Sequence, residues 1–204
     1  SRKCYIEASR SLCFVVETIN AMATHVPQPD YAGLRVSHAS TASIEYRCAG
    51  ATSRYIERIW LNRHNQDEAF AIVPDGCVDV VFQLSECGGE VLVYGSTTRA
   101  TQIPVMPGLS YLGMRFQPGM ARHFIDQEPA TLTDRYVRLP QFLPLDMERI
   151  AAAVCDGKGL TYLRNEMNRT LAERQFELFA IDRAVRFLRV NGGNVRIAEL
   201  AQQC

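Results

Sequence analysis

Two carboxylates, Asp75 and Asp79, lie either side of Cys77 in the stretch Pro74-Asp75-Gly76-Cys77-Val78-Asp79. Paired carboxylates near one strand are the raw material of general acid–base chemistry. Asp75 falls in a Pro-Asp-Gly turn, where its side chain is expected to hydrogen-bond the backbone. Asp79 falls in mid-strand on the face shared with Cys77 and Val81, and a carboxylate facing an interior there needs a partner or a ligand. Arg115, in another strongly β segment, is the matching opposite charge. A structural Asp79–Arg115 ion pair and a ligand-reading role weigh equally on sequence alone. Trp60, the single tryptophan, belongs to the core or stacks on a ligand in a pocket. With Tyr111 these make four candidate ligand contacts, Trp60, Asp79, Tyr111 and Arg115, chosen by residue type and strand face.

Signatures of catalysis are missing from the sequence. There is no GxSxG elbow, P-loop, HExxH or GxGxxG opening a helix. The four histidines, His25, His38, His64 and His123, lack metal-ligand spacing and are read as satisfied or exposed. The seven cysteines are odd in number and form no CxxC, which fits incidental or buried thiols in a reducing cytosol better than a disulfide framework or a zinc site. Nothing near Cys77 in sequence lowers its thiol pKa. No catalytic residue, metal or cofactor is therefore assigned, and the chain is not expected to be an enzyme.

These residues must be carried by ordinary globular elements. The composition, 47% hydrophobic and 22% charged, argues against long disorder. Acidic and basic residues balance at 22 each, so no whole-chain field draws the protein to nucleic acid or membranes. No apolar run approaches the ~20 residues needed to span a bilayer. Near the start, Ser1-Arg2-Lys3, the run 12–16 and Ala21-Met22-Ala23 faintly mimic a signal peptide, but Glu7 and Glu17 interrupt it, leaving an extension or short helix. Residues 24–40 hold Pro27, Pro29 and Gly33 and read as a linker. Strands are expected from Ala42, at 69–73, 77–84, 90–94, 101–106 and 111–116, with a helical turn leading into a strand near 54–61. Along 77–84, Val78, Val80, Phe82 and Leu84 share one face, and Cys77, Asp79, Val81 and Gln83 the other. A short helix is expected over 120–125. Beyond Leu145 the period becomes helical: Leu160, Leu163, Met167 and Leu171 form one stripe, Ile181, Ala184, Val185 and Leu188 a second, and Ile197, Leu200, Ala201 and Cys204 begin a third. Gly192-Gly193 should end the second.

Two stretches carry a resemblance. Residues 72–82 (Ile-Val-Pro-Asp-Gly-Cys-Val-Asp-Val-Val-Phe), then Gly95-Ser96-Thr97-Thr98, Gly113-Met114-Arg115-Phe116-Gln117-Pro118-Gly119, Leu132-Thr133-Asp134 and Val137-Arg138-Leu139, resemble the N-terminal sensory domain of a subgroup of AraC-family transcription regulators. Ile181-Asp182-Arg183-Ala184 and residues 192–201 (Gly-Gly-Asn-Val-Arg-Ile-Ala-Glu-Leu-Ala) are similar to the first helix of that family's DNA-binding domain and the opening of its first helix-turn-helix. The resemblance covers about residues 44–204 and implies an α+β chain: an antiparallel β-barrel or cupin-like domain, then helices and a truncated helix-turn-helix. It divides the chain into an extension (1–40), a β-rich sensory domain (41–143), linker or dimerisation helices (144–179) and the start of a DNA-binding domain (180–204). The recognition helix that would enter the major groove would lie beyond Cys204, and the neutral charge agrees, since the basic reading surfaces would lie there too. Arg196 stands where Ser, Thr or Asp would cap a helix better, unless Asn194 supplies the cap.

The reading that follows is a cytoplasmic, homodimeric regulator with a small-molecule effector, whose full-length form binds DNA and has no membrane partner. The candidate effector contacts are the four residues named above. The alternatives are a β-barrel oligomerisation module and, less favoured, a small cupin-like enzyme.

Overall fold

The computed structural model describes residues 43–63, 69–85, 88–174, 176–177 and 179–203. The expected extension over 1–40, three of the histidines (His25, His38 and His64) and Cys4, Cys13, Cys87 and Cys204 lie outside the described residues.

Among the described residues, eight strands precede four helices. The strands are β1 (Ser43–Arg47), β2 (Ile56–Arg63), β3 (Ala69–Ile72), β4 (Asp79–Ser85), β5 (Gly88–Tyr94), β6 (Thr101–Pro104), β7 (Ser110–Phe116) and β8 (Tyr136–Leu139). The helices are α1 (Met147–Cys155), α2 (Gly159–Glu173), α3 (Ala180–Val190) and α4 (Ile197–Gln203). Six strands form one antiparallel sheet in the order β1-β2-β7-β4-β5-β8, while β3 and β6 pair separately as a two-stranded ribbon.

Alternation along each strand decides which face is buried. Val80, Phe82 and Leu84 of β4, Leu112, Met114 and Phe116 of β7, Ile59 and Leu61 of β2, and Val91 and Val93 of β5 all point to one side. There they meet Ile150 and Val154 of α1 and Leu163 and Met167 of α2 in a single core, with Phe142 packed edge-on to Phe82. Each such side chain taken out of water contributes roughly 1.5–3 kcal/mol. Asp146 caps α1 by accepting from the N–H groups of Glu148 and Arg149 at 2.9 and 3.4 Å.

The α+β order is as expected, but the barrel is not: the sheet stays open, with β1 and β8 as its edges. The physical reason lies in the helices. The apolar face is covered by α1 and α2, so the strands need no second sheet or closure to bury it. The stripe Leu160, Leu163, Met167 and Leu171, a candidate dimer or linker face, is spent on this same core.

Local departures have local causes. The strand expected from Cys77 begins at Asp79, because Asp75 Oδ1 accepts the Cys77 N–H at 2.9 Å and holds that residue in a turn. The helix expected over 120–125 is a 3-10 turn at Ala121–His123. Strand β8 was not foreseen. Four residues with no alternation in burial carry little periodic signal, and pairing with β5 creates the strand.

Phe176 is held in a ring cluster, 5.1 Å from Tyr55, 5.0 Å from Phe124 and 5.7 Å from His123 between centroids. Asp182 accepts the Phe179 N–H at 2.9 Å to start α3, and Gly192 and Gly193, both at positive φ, end it as expected. At α4 the capping contact comes from Glu199, whose Oε2 lies 3.4 Å from the Arg196 N–H.

Candidate functional site

The second face of the sheet carries all four candidate residues. Register places Trp60 opposite Gly113 on β7, with Tyr111 and Arg115 two positions either side, and Asp79 opposite Arg115. Gly113 is there because the indole needs its space: a Cβ would come within 2.2 Å of Trp60 Cζ2. Val81, Val105, Leu109 and Tyr111 form a small buried cluster on this face, with Trp60, Tyr94 and Met106 packed against it.

Arg115 and Asp79 form the ion pair that the sequence offered as one option. Arg115 Nε and Nη2 donate to the two oxygens of Asp79 at 3.0 and 2.8 Å, and Nη1 donates to Asp75 Oδ2 at 2.6 Å. Asp75 thus closes the turn with one oxygen and holds the arginine with the other. Burial pushes the Asp79 carboxyl upward against the pull of Arg115. Burial also works against the arginine's charge, but the hydrogen bonds and charges of Asp79, then Asp75, more than reverse it, so the proton stays on the guanidinium.

Tyr111 is engaged as well. Its hydroxyl accepts the Met106 N–H at 2.9 Å, pinning the turn after β6 onto the sheet. Of the four, Asp79, Arg115 and Tyr111 therefore hold the face together, and Trp60 offers a half-buried indole on it.

Toward β8 the same face continues through Gln83, which strand parity over 77–84 already placed here, and through residues that sequence reasoning missed. Glu90 pairs with Arg138, and the rings of Tyr94 and Tyr136 lie 5.3 Å apart. Gln83 stands between Tyr111 and Glu90 in register. Strand parity in β5 could have found Glu90 and Tyr94. Tyr136 and Arg138 needed β8. These side chains are half-buried, so the face is a floor of aromatic rings and hydrogen-bonding groups.

The Cys77 thiol is pushed up to about 12, chiefly by burial and then by Asp75, and burial also raises the Tyr94 phenol. Both stay protonated at neutral pH and supply no nucleophile. Among the described residues, no three of His, Cys, Asp or Glu gather where they could hold a metal. No helix among them is long and apolar enough to cross a membrane.

A second cluster joins the sheet end to α3. His123 is satisfied, its Nε2 3.1 Å from Asp182 Oδ2, and Arg122 pairs with Asp182 Oδ1 while lying 4.8 Å over the Phe179 ring. Asp182 itself is 3% exposed, so it meets its partners away from water.

Residues 45–138 match the model of a family described as a domain of unknown function (DUF6597). That span runs from within β1 to within β8 and takes in both faces of the sheet, stopping before the helices. Neither a curated protein nor a solved structure matches the chain.

Proposed function

We propose that this chain is the sensing part of an AraC-type transcription regulator, with the second sheet face as effector floor and α3 and α4 as the start of the DNA-binding unit. The observation that carries this reading is the link between them. Asp182, in the segment resembling the first DNA-binding helix, is bound by Arg122 and His123, which lie in the 3-10 turn that comes next along the chain after the strand carrying Arg115. A change at the floor thus has a short covalent and hydrogen-bonded route to α3. Regulation then consists of a shift between arrangements of α3 on the sheet, biased by whatever the floor binds.

The floor supports sensing over catalysis because its ionisable groups are committed to pairs and its thiol and phenol stay protonated. Trp60, Tyr94 and Tyr136 offer ring faces for a planar or apolar ligand, and Gln83 an amide to orient it. In this reading the regulator acts as a cytoplasmic homodimer.

The test is fluorescence anisotropy on labelled DNA from upstream of the gene, comparing this chain with the full-length gene product. Binding by the full-length protein alone, with a steep salt dependence, is the expected result. Tight sequence-specific binding by this chain would sink the division of labour. Absence of binding by either would move the sheet to an oligomerisation role.

A further inference from the structure

We propose that the outer edge of β1 is the surface on which a second copy of this chain docks, strand against strand, about a two-fold axis through Tyr46. The proposal gives the homodimer of the sensing reading its contact surface, and it rests on that reading for the presence of a second copy. The apolar stripe of α2 is spent on the core, so the copy is met elsewhere. Among the described residues β1 pairs with β2 alone, which leaves a row of backbone donors and acceptors to another chain.

The charges across this end of the sheet are unbalanced at that edge. Arg47, Arg58 and Arg115 stand side by side on β1, β2 and β7. Arg115 is held by Asp75 and Asp79, and Arg58 by Glu45 at 3.3 Å. Arg47 is exposed, sits directly opposite Arg58 and has no ion pair among the described residues. Like charges so placed repel, and an acid arriving at the edge would relieve them.

Backbone parity decides which residue of a second copy supplies it. The Cys48 N–H donates inward to the Glu57 carbonyl at 3.1 Å, so Ile44 and Tyr46, of the same parity, also turn their N–H and C=O groups toward β2. Those of Glu45 and Arg47 therefore face outward. Two copies of one strand, paired antiparallel, match positions of like parity about a central residue. Centring on Glu45 opposes two carboxylates, and centring on Arg47 opposes two guanidinium groups. Centring on Ser43 or Ile44 sets Glu45 opposite Thr41 or Ser43, neither of them a cation. Centring on Tyr46 sets Glu45 opposite Arg47 of the second copy, twice by symmetry, and each such pair exchanges its outward hydrogen bonds. On the helix-covered face the same register brings the two Tyr46 rings together and sets Ile44, 57% exposed, against Cys48 of the second copy. The other edge strand, β8, carries Arg138 and no acid, so it offers no matching pair.

An edge of five residues is a small contact, so the dimer is weak and reversible. Sedimentation equilibrium of the 204-residue chain, from about 5 to 500 µM, is expected to show monomer and dimer in exchange. Glu45→Arg and Arg47→Glu, each at an exposed position, should weaken the dimer about tenfold or more by opposing like charges. The double exchange Glu45→Arg/Arg47→Glu should return the constant to near the parent's. Ile44→Cys should give, on mild oxidation, a covalent dimer joined through the native Cys48, located by peptide mapping. Within one chain those two positions lie roughly 13 Å apart along the strand, beyond disulfide reach. The proposal is overturned if the chain stays monomeric throughout, if the double exchange stays as weak as the single reversals, or if no link between positions 44 and 48 forms. A dimer indifferent to both reversals removes this surface but leaves the homodimer, so the two failures are distinguishable.

Discussion

Asp134 accepts both the backbone N–H and the hydroxyl of Thr98, at 2.7 and 2.6 Å, while its own backbone sits at a φ of 55°. Its N–H in turn donates to the Ser96 carbonyl. Beside it, Gly95 runs so close to Leu132 that a Cβ would fall 1.7 Å from the Leu132 carbonyl oxygen. The Gly-Ser-Thr-Thr and Leu-Thr-Asp segments, which the sequence showed only as two separate pieces of a pattern, are thus the two halves of one lock.

Substitution at Asp134 should therefore rank by backbone tolerance as well as by hydrogen bonding. Asp134→Ala loses both contacts to Thr98 and places a residue poorly suited to positive φ, so thermal melting should fall clearly. Asp134→Asn keeps an acceptor and suits that φ, and its melting temperature should lie between alanine and the parent. A melting temperature for the alanine variant equal to the parent's would show that the lock is not structural.

Gly113→Ala would force the indole of Trp60 off its seat. Overpacking of this kind costs about 1–3 kcal/mol. With one tryptophan in the chain, emission reports the displacement directly. A red-shifted spectrum and a lower denaturation midpoint are expected; an unshifted spectrum would mean the ring relaxes without gaining contact with water.

Arg115→Leu leaves Asp75 and Asp79 facing each other with no cation between them. Removing one partner from such a buried pair costs about 3–5 kcal/mol, and urea denaturation should show it. Asp79→Ala should also destabilise, which separates a structural arginine clamp from a ligand-reading carboxylate. A stable Asp79→Ala protein with altered ligand response would assign Asp79 to the ligand instead.

Acid should release α3 from the sheet. Burial pushes the Asp182 carboxyl upward, but the hydrogen bonds from Arg122 and the Phe179 N–H, with the charges of Arg122 and His123, hold it below its ordinary value of 3.8. A depressed carboxyl contributes its full stabilisation above the unfolded value and loses it as pH falls through the lower, folded value. Amide exchange in α3 should thus stay slow, relative to the intrinsic rate, at neutral pH and rise only below about pH 4. Arg122→Ala should weaken the docking by about 2 kcal/mol at neutral pH, with exchange accelerating in α3 and not in α1.

Thiol labelling separates burial from sequence position. Cys155 is exposed, Cys77 is buried with its pKa near about 12, and Cys48 is half-buried with its pKa raised to about 11. At pH 8, iodoacetamide should modify Cys155 well before the other two. Rapid labelling of Cys77 in the native protein would overturn the assignment of an inert thiol.

Strand parity made much of this legible. Along β4 and β7 the alternation of types separates the core residues from Asp79, Tyr111 and Arg115, and both strands lie in the same sheet with that parity intact. Parity cannot say how a sheet ends. Whether β1 and β8 meet depends on what covers the apolar face, and the helical stripes that cover it read equally well as dimer surfaces. The cluster of Arg122 and His123 on Asp182 was hidden for another reason. It joins residues about 60 apart through a 3-10 turn, and no periodicity marks such a contact. The same holds for Glu90 and Arg138, which meet only because β8 exists.

The hold on Phe176 has a mechanical consequence. With Tyr55, Phe124 and His123 gripping the connection just ahead of α3, that helix has a fulcrum rather than a free tether. Eleven helical residues extend it by roughly 16 Å, so a tilt of about 20° at the fulcrum displaces its far end by roughly 5–6 Å. A side-chain-sized adjustment at the fulcrum is therefore geared up into a larger displacement at Asn191.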